Sequence, residues 1–133
     1  MTGNEAFAAA ATMSNSTHNA YLVTITSAAE NNIVMGLSQT IAWIGAKRTS
    51  PGVWSWQGGD DTNVQFWSGG PAGSGGNVVN NMYSNWLTNQ PDGEICLVIN
   101  AFGLGMWSDW GDCGGNDRFP FFVEFSPISG NYY

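Results

Sequence analysis

Hydrophobic and polar positions follow a helical pattern near the start of this chain and an alternating pattern after it. The alanine-rich segment Glu5–Met13 contains no helix breaker and predicts a short helix. Ser27, with Glu30 three residues later, has the spacing of a capping box and predicts the start of a second helix, which ends near residues 36–40. Three apolar residues would form one face of that helix: Ile33, Val34 and Leu37.

Short strands are predicted along the rest of the chain, where β-branched and aromatic residues alternate with polar ones or form short apolar runs. These segments are Tyr21–Ile25, Ile41–Gly45, Val53–Trp56, Ile95–Asn100, Gly105–Ser108 and Phe121–Phe125. The segment Ser68–Gly76 is rich in glycine, serine and proline and predicts a surface loop. Two helices followed by short strands and long irregular loops predict one α+β domain over residues 1–133.

Composition narrows the possible partners. Only 10% of the residues are charged, and the net charge is −7 with three cations, which argues against binding to nucleic acid or to an anionic membrane surface. The hydrophobic share of 43% argues against disorder. No apolar run has the length of a membrane-spanning helix, so no membrane insertion is expected. An acidic surface with few lysines suits an extracellular setting or a cation site.

The two cysteines, Cys96 and Cys113, favour a disulfide and an oxidising compartment, and two buried free thiols are the alternative. The N-terminal segment Met1–Glu5 has no basic region, and Ala8–Ala11 is too short for a signal-peptide core. We therefore expect a mature form or one module of a larger protein, located outside the cell or on its surface.

Six motifs resemble, in order, those of the C-type lectin-like domain. They are Ala20–Ser27 with Glu30, Trp43-Ile44-Gly45-Ala46, Trp54-Ser55-Trp56 with Gly58-Gly59, Tyr83–Trp86 with Gln90-Pro91-Asp92, Trp107-Ser108-Asp109, and Phe122-Val123-Glu124-Phe125. Each motif alone is weak, but their order over more than a hundred residues implies the fold of that family. The tryptophans of these motifs are expected in the core and not as ligand platforms, since they sit on predicted strands: Trp43, Trp54, Trp56, Trp86 and Trp107.

The chain also departs from the family pattern. A long-range disulfide that the family usually forms is missing, because the matching positions, near Ala11 and at Val123, are apolar. The resemblance implies that only the shorter bridge, Cys96–Cys113, is kept. The opening strand of the family is missing as well, and the strand-like C-terminal tail, residues 127–133, is similar to it.

The resemblance implies a calcium ion that grips sugar hydroxyls. The ligand positions of the family map onto Gln90, Asp92, Glu94, Ser108 and Asp109. Pro91 is expected to follow a cis peptide bond, which would bring its flanking side chains towards one ion. Serine stands at position 108 where the family has asparagine. The expected affinity is about 10⁻⁴ to 10⁻³ M, as in other extracellular modules.

In the family, the order Gln-Pro-Asp is associated with galactose-type sugars and Glu-Pro-Asn with mannose-type sugars. The resemblance therefore implies a galactose-type glycan ligand bound by Gln90, Asp92, Glu94 and Asp109, with Trp110 or Phe102 stacking on the sugar. The alternative is a fold that keeps this loop as a turn without calcium.

Two other classes of function differ from glycan binding. Enzymatic activity is not expected, because the chain has one histidine, no nucleophile motif and no phosphate-binding loop. The other class is a protein-binding or self-assembling surface, adhesin or filament subunit, in which the tail Ser129–Tyr133 fills the strand gap of a neighbouring copy.

Overall fold

The computed structural model describes residues 1–128, which contain two helices and two antiparallel sheets joined by irregular loops. The helices are α1 (Gly3–Ala11) and α2 (Ala28–Leu37). The strands are β1 (His18–Leu22), β2 (Ala42–Ser50), β3 (Val53–Trp56), β4 (Gln65–Ser68), β5 (Asn77–Val78), β6 (Cys96–Ile99), β7 (Trp107–Trp110) and β8 (Val123–Pro127), with a short 3-10 helix at Gly59–Asp61. Strand β1 pairs with β8, and the other strands form one sheet in the order β5-β4-β3-β2-β6-β7. The predicted α+β architecture is confirmed.

Side-chain caps determine where the helices begin. The Thr2 hydroxyl accepts a hydrogen bond from the Glu5 N–H, and the Glu5 carboxylate accepts one from the Thr2 N–H, so α1 begins two residues before its predicted start. Ser27 caps α2 as predicted. The Glu30 carboxylate accepts a hydrogen bond from the backbone N–H of Thr26.

The predicted apolar face of α2 is wrong at two of its three residues. Val34 is buried, but Ile33 is 64% exposed and Leu37 is 72% exposed. Asn31 is buried beside Val34, because its side-chain oxygen accepts a hydrogen bond from Trp107 Nε1 at 2.9 Å and its amide donates to the Gly105 carbonyl at 3.0 Å. A polar residue therefore replaces an aliphatic one at the contact between α2 and the core.

Strand positions depend on pairing that local sequence does not reveal. The predicted strand Tyr21–Ile25 begins three residues earlier, because His18–Leu22 pairs with β8. Strands β4 and β5 were not predicted, and the final two strands lie about two residues later than predicted. The predicted Gly/Ser-rich loop follows β4, and a turn at Pro51-Gly52 joins β2 to β3.

Two apolar clusters form the core, and they lie on opposite faces of β6. Leu97 and Ile99 belong to one cluster, whereas Cys96 and Val98 belong to the other. The tryptophans predicted to be buried are all at most 6% exposed: Trp43, Trp54, Trp56, Trp86 and Trp107. No helix in the described part of the chain has the length and hydropathy needed to cross a membrane.

Cys96 and Cys113 form a disulfide that ties β6 to the turn after β7, so the predicted bridge is present and free thiols are not. Near the positions of the absent long-range bridge, Ala10 and Val123 pack in one cluster with both cysteines. Apolar packing therefore takes the place of that bridge. Ser129–Tyr133 lies outside the described residues, and strand exchange through it stays a prediction.

We predict that Asn31→Ala lowers the free energy of unfolding by about 1–3 kcal/mol, because it leaves the buried Trp107 Nε1–H without its acceptor. Asn32→Ala is the matched control, since Asn32 is exposed on the same helix and should change stability by less than about 0.5 kcal/mol. Urea unfolding followed by tryptophan fluorescence measures both. Equal losses in the two variants would contradict a specific role for the buried hydrogen bonds.

Candidate calcium-binding site

The Asp109 carboxylate on β7 binds three consecutive residues of the loop that follows Trp86. Three consecutive backbone N–H groups donate to Asp109 Oδ2: Asp92 at 3.0 Å, Gly93 at 2.9 Å and Glu94 at 2.6 Å. The Asp92 N–H also reaches Asp109 Oδ1 at 3.1 Å. The peptide bond between Gln90 and Pro91 is cis, as predicted. Asp109, which is only 1% exposed, therefore fixes residues 92–94 of the irregular loop to the sheet.

Regular structure places Asp109 at that position. Strand β7 pairs with β6, and Asp109 lies opposite Leu97. The Ile95 N–H donates to the Gly111 carbonyl at 2.8 Å, which extends the pairing to the end of the loop. The Cys96–Cys113 bridge lies directly beside this pairing. The two carboxylate-bearing segments that the sequence singled out thus lie next to each other.

Three carboxylates converge where the loop meets the strand. Asp92, Glu94 and Asp109 each present an oxygen within 4.8 Å of the others. Gln90 lies beside them, since its amide nitrogen donates to Asp92 Oδ2 at 3.3 Å. Glu94 also accepts a hydrogen bond from the Gly111 N–H, which ties its side chain to the end of β7. Asp92 and Glu94 are exposed, so this cluster opens to solvent.

These side chains line an open cavity of about 330 Å³. Its lining consists of Gln90, Asp92, Glu94, Phe102, Asp109, Trp110 and Asp117. Four of the five predicted calcium ligands and both predicted stacking residues are therefore brought together. The rings of Phe102 and Trp110 lie 5.7 Å apart, and Phe102 is 61% exposed.

Ser108 is the predicted ligand that the fold does not bring to the cavity. Neighbouring residues of a strand point to opposite faces, so Ser108 shares the face of its partner Val98, away from Asp109. Ser108 is fully buried, and its hydroxyl oxygen has no hydrogen-bond partner in the described part of the chain. Asp117 lines the cavity although the family resemblance assigns it no role; it lies three residues after Gly114, in the irregular segment that follows β7.

Electrostatics at the site are dominated by the buried carboxylate. Burial first, and then the adjacent Asp92 carboxyl, raise the pKa of Asp109 to about 6 against the opposing effect of the Glu94 and Asp92 backbone N–H groups. A cation at this position would favour the ionised form of Asp109. Without one, the repulsion between neighbouring carboxylates costs free energy.

The donor set fits a hard divalent cation such as calcium, which binds six to eight oxygen ligands in flexible geometry. Three converging carboxylates and one amide oxygen line the cavity, and Asp117 adds a fourth carboxylate at its wall. Gln90 Oε1 is buried and has no hydrogen-bond partner among the described residues, which leaves its lone pairs free. Among residues 1–128, Asp109 Oδ2 accepts hydrogen bonds from three N–H groups, whereas Oδ1 accepts one.

Residues 4–119 match the family model of the lectin C-type domain. The chain belongs to this family. It is also 30% identical over 116 residues to Halomucin of Haloquadratum walsbyi, a stretch that covers 84% of this chain. The chain spans about 1% of the length of that relative.

Solved C-type lectin structures share the fold. The lectin CEL-I from Cucumaria echinata aligns with a TM-score of 0.69 at 20% identity, covering 95% of this chain and 84% of that one. The carbohydrate-recognition domain of cow CD23 aligns with a TM-score of 0.66 at 21% identity, covering 97% and 82%. The carbohydrate-recognition domain of the mouse scavenger receptor C-type lectin aligns with a TM-score of 0.60 at 22% identity, covering 95% and 82%.

Family membership sets the general class of this domain. C-type lectin domains are carbohydrate-binding modules without enzymatic activity, in agreement with the prediction that this chain is not an enzyme. They typically bind calcium and are generally extracellular or surface-associated. The disulfide fits that setting.

We predict that Asp109 makes the metal-free domain less stable as the pH rises. The pKa of Asp109 is raised from 3.8 to about 6 on folding, so the folded state binds the proton more tightly than the unfolded state does. The resulting contribution of Asp109 to the free energy of unfolding is fully present below about pH 4 and is lost as the pH rises through about 6. A shift of two units corresponds to at most about 3 kcal/mol. Urea unfolding in chelator from pH 4 to 7, on the wild type and Asp109→Asn, measures the difference.

The exposed Asp112 provides the control, since Asp112→Asn should follow the wild-type pH dependence. A wild-type stability that rises with pH relative to Asp109→Asn would contradict this prediction. It would mean that the N–H groups around the carboxylate outweigh its burial.

Proposed function

We propose that this domain binds galactose-type sugars through one calcium ion held by Gln90, Asp92, Glu94 and Asp109. The observation that carries the proposal is the convergence of three carboxylates and an unpartnered amide oxygen in one open cavity. Calcium, when bound, would supply coordination positions for two adjacent sugar hydroxyls.

The protein side chains have separate tasks in this proposal. The Asp109 carboxylate accepts hydrogen bonds from the backbone N–H groups of the loop. The metal-binding side chains are therefore in position before calcium or a sugar binds. The Gln90 amide can donate a hydrogen bond to a hydroxyl, while the carboxylates of Asp92 and Glu94 accept. Phe102 and Trp110, at the edge of the cavity, offer aromatic surface to the apolar face of a sugar ring.

The preference for galactose-type sugars follows from the order Gln-Pro-Asp at residues 90–92, which the family associates with such sugars. We place the domain outside the cell or on its surface, as one module of a longer protein. The disulfide and the much greater length of its Halomucin relative support this placement.

We predict that calcium binds with a Kd of about 10⁻⁴ to 10⁻³ M. Glu94→Gln and Asp92→Asn should each weaken binding at least about tenfold, because each removes one carboxylate from a small ligand set. Isothermal titration of calcium into metal-free protein measures the affinity. Both substitutions keep side-chain size, so loss of packing does not explain the effect.

Asp112→Asn controls for general loss of negative charge, since Asp112 is exposed and does not line the cavity. It should bind calcium like the wild type. Absence of saturable binding up to millimolar calcium, or equal weakening in all three variants, would overturn the calcium site.

We predict that the calcium-loaded domain binds galactose at least several-fold more tightly than mannose, and that chelator abolishes binding of both. Gln90→Glu combined with Asp92→Asn should reverse this preference, because it exchanges the positions of the charged and the amide side chains around Pro91. Titration of each monosaccharide into both proteins provides the comparison. An unchanged preference in the double variant would show that sugar choice is made elsewhere in the cavity.

A further inference from the structure

A second cavity, of about 310 Å³, adjoins the calcium-binding site and shares Asp92 with it. Three chain segments line it: the β2–β3 hairpin, the turn after β4 and the loop around Pro91. The lining residues from the hairpin are Arg48, Gly52 and Trp54. A ligand that extends from the carboxylate cluster past Asp92 would enter this cavity.

Arg48 is the cation of this cavity, and its guanidinium has no hydrogen bond or ion pair among residues 1–128. The other two cations are engaged. Lys47 lies 4.5 Å from the centre of the Phe7 ring and donates to an asparagine oxygen. Arg118 pairs with Glu5 at 2.6 Å. The half-buried Arg48 therefore keeps its planar set of N–H donors available in a concave site.

Glycines leave part of the cavity wall without side chains. Gly52 and Gly69 both have positive φ angles, 75° and 96°, which other residues adopt at a cost. A Cβ atom at Gly69 would also lie 2.6 Å from the carbonyl oxygen of Gly75. This turn is thus restricted to glycine, and the backbone beside Arg48 is open to a ligand.

We propose that this cavity binds the carboxylate or sulfate group of an acidic sugar through Arg48. The guanidinium offers parallel N–H donors that match the oxygens of either anion. The inference rests on the proposed function, because the hydroxyls of the same or a linked sugar would occupy the calcium-binding site on the other side of Asp92. It narrows the ligand class from neutral galactose-type sugars to their acidic derivatives.

The overall negative charge of the protein means that an acidic sugar needs a local cation in order to bind. With a net charge of −7, the long-range field of the domain repels anions. A preference for acidic sugars therefore has to come from a local cation, and Arg48 is the cation placed beside the sugar-binding loop.

Titration of galactose, galacturonic acid and galactose 6-sulfate, with calcium and with chelator, tests the inference. We expect at least one acidic sugar to bind the wild type about tenfold more tightly than galactose, and Arg48→Gln to remove that advantage without changing calcium affinity or galactose binding. Arg48→Lys keeps the positive charge and should retain part of the advantage in binding acidic sugars. Lys47→Gln is the matched control, since Lys47 is the neighbouring residue and does not line the cavity. Comparison of the two acids identifies the preferred anion.

The outcomes separate the two proposals. Galactose binding with no advantage for either acid, or an equal loss in Arg48→Gln and Lys47→Gln, overturns the inference and leaves the proposed function standing. Acidic-sugar binding that persists in chelator and needs Arg48, without any galactose binding, supports the inference and overturns the calcium-dependent function. Absence of binding by all three sugars overturns both.

Discussion

The contact between the Asp109 carboxylate and three consecutive backbone N–H groups is the constraint on which the site depends. Residues 90–94 contain no helix or strand, so their own hydrogen bonds do not determine their shape. A buried carboxylate is costly unless it is well paired, and here the loop supplies the pairing. The charge holds the loop, and the loop makes the buried charge tolerable. The Cys96–Cys113 bridge and the pairing of β6 with β7 keep the two partners adjacent.

Much of this arrangement could be predicted from the sequence because its motifs carry the chemistry locally. The order of the tryptophan-containing segments resembles that of the C-type lectin-like domain and implies the fold, and the same resemblance implies the ligand positions on either side of Pro91 and on β7. The failures share one physical cause, which is dependence on partners distant in the chain. Asn31 is buried on α2 because Trp107, 76 positions away, needs an acceptor, so an aliphatic pattern could not reveal the buried face. Strand β5 has two residues and exists only by pairing with β4.

Ser108 shows the limit of transferring a ligand list by position alone. Adjacent residues on a regular strand point to opposite faces, so Ser108 and Asp109 reach the same ion only where the strand departs from regular pairing. Here the register is continuous from Trp107 to Trp110, and Ser108 faces Val98. The cavity gains Asp117 at its wall instead. The change shifts the oxygen donors of the cavity towards the turn after β7 and away from the strand itself.

Negative and positive side chains lie on opposite sides of the loop at Asp92. Carboxylates gather on one side of Asp92, whereas Arg48 lies in the adjoining cavity with no acid within ion-pairing distance in the described chain. A neutral sugar would use only the first of these environments. A ligand with hydroxyls at one end and an anionic group at the other would use both, with the hydroxyls at the calcium-binding site and the anion at Arg48. This arrangement arises from the β2–β3 hairpin and the loop that meet at Asp92.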